Sequence, residues 1–171
     1  MKIQQSYVIG AVVLAALLVI AYLAVGRGPV PVVAVGDNIT VSYTGTFLNG
    51  TVFDSSVGKA PLQFVVGAGR MIPGFDRGVV GMSLNEENTI TIPANQAYGP
   101  VNPALYVSVP SNTFGNMTMQ VGMVIRRSTN GLQQQGVVTA VNATNVTINF
   151  NSDLAGKTLV FKVKILSIKK G

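Results

Sequence analysis

Two hydrophobic patterns divide this chain into an amino-terminal run and a larger remainder. The run YVIGAVVLAALLVIAYLAV, Tyr7–Val25, holds 19 residues without a charge, whereas from Val35 onward many segments alternate between hydrophobic and polar residues. A helix of that length is about 28 Å long, close to the roughly 30 Å hydrocarbon core of a bilayer. The run therefore predicts a transmembrane helix, and we interpret residues 1–32 as a membrane anchor and linker.

Two other interpretations fit the apolar run less well. A cleaved signal peptide fits the small residues of Ala24-Val25-Gly26, but its apolar stretch is usually only about 7–15 residues long. A buried core helix is disfavoured because the run has no polar face to meet water. We therefore expect an anchor, followed by the short stiff linker GRGPVP.

The alternating segments predict β-strands, since a period of two places every second side chain on one face of a sheet. The candidate strands are residues 39–44, 51–53, 62–66, 90–92 and 159–165. Asn49-Gly50 predicts a tight turn between the first two strands. Gly74–Val80 is the one convincing short helix, and Pro73 suits its first turn. A mainly antiparallel sheet covered by one helix predicts the fold class α+β.

Composition narrows the chemistry that this chain can perform. It has no cysteine and no histidine, which excludes thiol and imidazole catalysis, disulfides and the usual zinc ligands. The net charge is +6, but only Arg126-Arg127 and Lys169-Lys170 place basic residues side by side. A basic stripe for nucleic acid is therefore not visible. We expect no cofactor, no metal and no nucleic-acid partner.

Three residues have ordinary structural explanations when each is taken alone. Asp54, in FDSS at a strand end, is a common turn former. Tyr98, in NQAYGP, is typical of packing at the edge of a sheet, and Phe75 on the short helix is typical of a core. Their spacing, together with the motifs around them, is more informative than any one of them.

Four segments carry those motifs in order: VSYTGTFLNGTVFDSS (41–56), PLQFVVGAGRMIPGFDRGVVGM (61–82), IPANQAYG (92–99) and LAGKTLVFKVKIL (154–166). Together they resemble the FK506-binding-protein (FKBP) family of peptidyl-prolyl cis-trans isomerases. The stretch between Gly99 and Leu154 is longer than the flap of the minimal family member. With QVGM (120–123) and NFNSDLAGKTLVF (149–161), it resembles the insert-in-flap domain of the SlyD-like branch.

The resemblance implies a domain organisation and an activity. An isomerase domain would comprise residues 33–100 and 153–171, with an antiparallel sheet wrapped on the short helix. Residues 101–152 would form a small, mainly β chaperone subdomain. The protein would be a monomeric isomerase with chaperone activity on unfolded or proline-containing polypeptides, and would bind FK506-like macrolides. SlyD-like proteins often bind metal through histidines, and a chain without histidine does not inherit that property.

The resemblance also implies an apolar pocket with a few polar groups. Asp54, Tyr98 and the backbone N–H of Ile72 take the catalytic positions. The substrate-binding positions, with Phe75 as the floor, are taken by Tyr43, Phe53, Leu62, Phe64, Met71, Phe75 and Phe161. On this interpretation the glycines around Phe75 let a loop and helix lie close under the sheet.

Prolyl isomerisation breaks no bond, so it needs neither a nucleophile nor a metal. A twisted amide is less polar than a planar one, and an apolar pocket therefore favours the twisted state relative to the planar state. Two other functions were considered for the same chain. One is a membrane-tethered holdase chaperone with little isomerase activity, and the other is a structural envelope protein. An isomerase assay beside an aggregation assay separates the three.

The long insert and the sequons complete the sequence-based predictions. Residues 146–150 alternate as a strand and Asn130-Gly131 marks a turn, so we expect the insert to be a subdomain whose methionines capture unfolded chain. Few charges, no cysteine and five Asn-x-Ser/Thr sequons favour an extracytoplasmic location for the part after the anchor. The sequons are at Asn38, Asn49, Asn116, Asn142 and Asn145.

Overall fold

The computed structural model describes residues 30–129 and 131–171 of the chain. The predicted transmembrane helix, Tyr7–Val25, lies outside these residues. Among the residues described, no helix has the length and apolar character needed to cross a bilayer. The described elements are β1 (Asn38–Phe47), β2 (Val52–Ser55), β3 (Leu62–Val65), α1 (Pro73–Gly78), β4 (Glu87–Ile92), β5 (Tyr106–Pro110), β6 (Val124–Thr129), β7 (Leu132–Val141), β8 (Asn145–Asn149) and β9 (Leu159–Lys169).

The predicted fold class, α+β, was wrong. The described chain is mainly β: two antiparallel sheets carry nine strands, and the one α-helix among the described residues has six residues. Such a helix is less than two turns long, so it cannot form a layer of its own. It packs against one face of the first sheet instead.

The first sheet has five strands. Four of them follow the order β2-β1-β9-β4. The fifth, β3, pairs with the first half of β1, whereas β2 pairs with its second half. Strand β9 lies between β1 and β4 and shows why the alternation predicted a strand. Leu159 and Val163 are fully buried, whereas Lys162 and Lys164 between and beyond them are exposed. The predicted orientation of this strand is therefore confirmed.

The short helix α1 packs unusually close to the sheet. A Cβ atom on Gly74 would collide with Ile92 Cγ2, and one on Gly78 would lie 2.6 Å from Ile90 Cγ2. Both glycines therefore permit the helix to rest on β4. The carbonyl of Ile72 accepts the N–H groups of Phe75 and Asp76, so the helix begins directly after the loop that borders the site.

The second sheet has four strands, in the order β5-β8-β7-β6, and is built from the predicted insert. Its sequence-predicted strand corresponds to β8, whereas β5, β6 and β7 were not predicted. A small core forms on one face from the buried residues Met119, Val138, Val146 and Ile148. At the junction with the first sheet, the Gly156 N–H donates to the Gly99 carbonyl at 2.8 Å.

Candidate functional site

A cavity of about 530 Å³ is bordered by the β1–β2 hairpin of the first sheet, the loop before α1 and the loop after β4. Its lining consists of Tyr43, Phe53, Asp54, Leu62, Arg70, Met71, Ile72, Pro73, Phe75, Tyr98 and Phe161. Nine of the ten residues predicted for the site are therefore brought together around one cavity. Their individual roles stay predictions.

Aromatic rings form the floor and one wall of the cavity. The Phe75 ring is only 3% exposed, and its centre lies 5.2 Å from that of Phe161 and 6.3 Å from that of Tyr43, both edge-to-face. Phe53 stands edge-on to Phe161 at 5.6 Å. Such T-shaped pairs hold rings rigidly, since the positive edge of one faces the negative face of the other.

A glycine in β1 makes space for this wall. A Cβ atom on Gly45 would lie 2.6 Å from the Phe53 ring and 2.9 Å from the Phe161 ring. Any side chain at this position would therefore displace both rings. The VxYxG motif of the sequence thus has a packing reason, in addition to supplying Tyr43.

Phe64 is the predicted site residue that the structure does not place in the cavity wall. It is 5% exposed and packs against Phe75 with ring centres 5.8 Å apart. It lines a neighbouring recess on the side of β3 and supports the floor from there. The family resemblance implied that Phe64 forms part of the cavity wall, whereas in the structure its ring packs against Phe75 and does not line the cavity.

Asp54 is held by a small polar network at the rim. The hydrogen bond from the Tyr43 hydroxyl, 2.6 Å from Asp54 Oδ2, lowers the pKa of this carboxyl below its usual value. Lys59 adds an ammonium 3.3 Å from Oδ1. Desolvation, followed by the bond to Asp54, raises the pKa of Tyr43 to about 12. The pair is therefore a carboxylate and a neutral phenol at neutral pH, which suits orientation rather than proton transfer.

Two residues of the cavity lining carry hydrogen-bond donors that have no protein partner among the residues described. Neither the Ile72 N–H nor the Tyr98 hydroxyl donates to another group within the described part of the chain. Tyr98 is 49% exposed and lies just after the short 3₁₀ turn of Ala94–Gln96. The Gly99 N–H, 2.8 Å from the Ala94 carbonyl, fixes the loop that carries it. Both donors can therefore serve a bound carbonyl oxygen.

Sequence reasoning missed Arg70 and Pro73 as lining residues. Both flank residues that were predicted, Met71 and Ile72, so the loop as a whole was the available signal. No group of three acidic side chains that could hold a metal ion converges anywhere in residues 30–129 and 131–171. The site is thus an apolar, aromatic-walled cavity with two unpartnered donors and one oriented carboxylate. Such a site is suited to binding an apolar group next to a carbonyl.

Comparison with known proteins agrees with that class of site. The family of FKBP-type peptidyl-prolyl cis-trans isomerases matches residues 31–166. The chain therefore belongs to this family, and it is a peptidyl-prolyl cis-trans isomerase that acts on proline-containing polypeptides.

Three relatives cover most of the described chain. It is 36% identical to a probable FKBP-type 16 kDa peptidyl-prolyl cis-trans isomerase of Pseudomonas fluorescens, over 79% of this chain and 92% of the relative. It is 32% identical to the short-type peptidyl-prolyl cis-trans isomerase of Methanocaldococcus jannaschii, over 78% and 92%. It is also 32% identical to SlyD of Treponema pallidum, over 77% and 76%. The predicted resemblance to the SlyD-like branch is thereby confirmed.

Proposed function

We propose that this isomerase acts on unfolded protein chains, with the cavity stabilising a twisted prolyl amide and the second sheet holding the client as a chaperone would. The observation that carries the catalytic part is the pair of unpartnered donors, Ile72 N–H and Tyr98 O–H, at the rim of an aromatic cavity. Neither a nucleophile nor a metal has a role in this mechanism.

The cavity lowers the barrier by favouring the twisted prolyl amide over the planar one. Uncatalysed exchange about a prolyl bond takes about 10–100 s, because resonance holds the amide planar. A proline ring resting on Phe75 is surrounded by carbon, which disfavours the more polar planar amide relative to the twisted one. The two donors hold the carbonyl before the proline while the bond turns. Interactions that strengthen as the amide twists lower the barrier.

Asp54 acts through Tyr43 in this mechanism. Its carboxylate accepts the phenolic O–H and thereby fixes a ring that contacts Phe75 and Phe161. Because Asp54 also accepts the Ser55 N–H at 2.8 Å, its own orientation is fixed by the backbone of β2. We therefore assign Asp54 a positioning role and not that of a base.

The chaperone part of the proposal is supported by apolar residues that the second sheet leaves exposed. Met117 is 59% exposed and Val121 is 66% exposed, in the segment that leads into β6. Met119, between them, is buried in the small core, and Met123 is half-buried. Thus some of the methionines stabilise the insert, whereas others remain available to unfolded chain. A flexible thioether adapts to many apolar sequences.

A paired assay on the full chain tests both parts. Tyr98→Phe removes a hydroxyl that makes no hydrogen bond to residues 30–129 or 131–171, so we expect unchanged stability and about a two- to tenfold lower kcat/KM on a prolyl peptide. Replacing residues 101–152 by a short flap should leave peptide exchange nearly intact and sharply slow catalysis on a proline-limited refolding protein. Equal losses on both substrates would contradict the chaperone role. Suppressed aggregation without isomerisation would favour the holdase.

We also propose an extracytoplasmic location for the described residues, supported by the sequons. Asn49, Asn116 and Asn142 are exposed in turns, where a modifying enzyme could reach them, whereas Asn38 is paired on both sides within β1. Protease added to intact cells should digest this part of the chain. Complete protection until lysis would contradict the proposal.

A further inference from the structure

A second recess adjoins the site and shares one charged residue with it. This recess has a volume of about 540 Å³ and lies beside β3. It is lined by Asn38, Gln63, Phe64, Val65, Ala68 and Arg70. Arg70 also lines the prolyl cavity, and the Phe64 ring packs against its floor at Phe75. Arg70 therefore stands where the prolyl cavity and the recess meet.

The guanidinium of Arg70 has no acidic partner within the described residues. The three ion pairs found there join Lys59 to Asp54, Lys162 to Glu87 and Lys170 to Asp37. The carboxylate of Asp76, the next acidic residue along the chain, accepts the Gly67 N–H at 2.9 Å through Oδ1 and forms no ion pair with Arg70 in the described structure. Arg70 is thus a cation exposed at the site and available to a ligand.

The lining of the prolyl cavity therefore has an excess of positive charge once ion pairs are counted. Asp54 and Arg70 are the two charged residues in its lining, and Asp54 is offset by Lys59 at 3.3 Å. The uncompensated charge at the border of the two cavities is the positive charge of Arg70. A guanidinium presents several donors in a planar fork that matches a carboxylate better than any other side-chain group.

We infer that the recess beside β3 is a subsite for the substrate chain, in which Arg70 selects clients that carry an acidic side chain close to the proline. The inference rests on the binding mode proposed above. An extended chain advances about 3.3 Å per residue, so the recognised residue lies one or two positions from the proline. It lies on one side only, because Arg70 borders the cavity on the side of the recess.

Capped, otherwise uncharged peptides test this selectivity in the full chain. Glutamate, glutamine and lysine are placed in turn one or two positions before or after the proline, and kcat/KM is measured by NMR exchange. At low ionic strength we expect glutamate to exceed glutamine by about two- to fivefold on one side of the proline, mainly through KM. In about 1 M salt the screening length falls to about 3 Å, and this ratio should approach one.

Substitutions assign the selectivity to one side chain. The ratio of glutamate to glutamine should fall to about one in Arg70→Gln, and Arg70→Glu should prefer lysine. Arg77→Gln is the matched control, since Arg77 is an exposed arginine on α1 that lines neither cavity. It should keep the full preference and the rate of the parent protein.

The outcomes separate this inference from the proposed mechanism. Equal kcat/KM for all peptides, or a glutamate preference that survives Arg70→Gln, would overturn the subsite and leave the isomerase mechanism standing. If no peptide were isomerised, the proposed mechanism would fail. Dissociation constants measured on the same peptides would still show whether Arg70 selects acidic ligands.

Discussion

The two sheets of this protein differ in how completely they bury their apolar residues. The first encloses a cluster of 13 buried hydrophobic residues, including Phe75, whereas the second has four among the residues described. A larger core can hold aromatic rings in one geometry, which a catalytic cavity needs. A small core leaves apolar side chains such as Val121 at the surface. Because a smaller core supplies less stabilisation, we expect the second sheet to unfold more readily than the first.

The strongest test of this contrast is to remove the floor of the cavity. Phe75→Ala empties a buried site in the large core, and we expect a loss of about 3–5 kcal/mol in the free energy of unfolding. Peptide exchange, followed by NMR, should fall to background because the proline loses the surface on which it rests. Val80→Ala, at an exposed position just beyond α1, is the control. Retained exchange in a folded Phe75→Ala protein would show that the floor is dispensable.

The corresponding substitution in the second sheet should have a local effect. Ile148→Ala creates a cavity in a core of four residues, with a cost of about 2–5 kcal/mol, so the second sheet should unfold on its own. Peptide exchange should stay within about twofold, while catalysis on a refolding protein falls. Thr147→Ala, on the opposite face of β8, should change neither. Loss of peptide exchange in Ile148→Ala would mean that the two cores are coupled.

A fall in pH should destabilise the first sheet and its core, which we call the first region, more than the second sheet. The pKa of Asp54 is lowered by the Tyr43 hydrogen bond, and that of Asp37 by hydrogen bonds from Lys170 and the backbone. A lowered pKa means that each carboxylate stabilises the fold fully above its unfolded value of about 3.9 and loses this effect as the pH falls through its folded value. Residues 101–152 contain no aspartate or glutamate.

NMR signals from β9 and β7, followed between pH 7 and pH 2, should therefore separate the two regions. We expect the melting temperature of the first region to fall below about pH 4, whereas that of the second sheet stays nearly constant. In Asp37→Asn the acid-dependent loss in the first region should be smaller. A parallel decline of both regions would show that they unfold as one unit.

The smallest expected effect lies at the edge of the second sheet. The Arg127 guanidinium stands 3.8 Å from the centre of the Phe150 ring and donates to Gln134 at 2.8 Å. Arg127→Met should therefore cost about 0.5–1 kcal/mol of stability in this sheet, measured by urea unfolding. Arg126→Met, at the exposed neighbouring position, should cost almost nothing. Similar losses in both variants would indicate a general charge effect.

The sequence by itself determined the parts in which local pattern and final environment agree. The alternation in β9 follows directly from burial on one face, and Gly45, Gly74 and Gly78 stand where no side chain would fit. The motifs placed nine of the ten predicted residues around one cavity. These features depend on residues close together in the chain, or on motifs whose spacing is characteristic of the family's fold.

Only the tertiary structure decided how distant segments pair and which of their side chains line the cavity. Strands β5, β6 and β7 carry weak patterns and become strands through pairing across the second sheet, which made the molecule mainly β. Phe64 and Phe75 are 11 positions apart, yet which ring faces the cavity depends on how α1 packs against the sheet. Arg70 is a loop residue in the sequence and a rim residue in the fold. Arg70 is exposed where the two cavities meet because of how the loop packs against the sheet, and the local sequence pattern does not predict that packing.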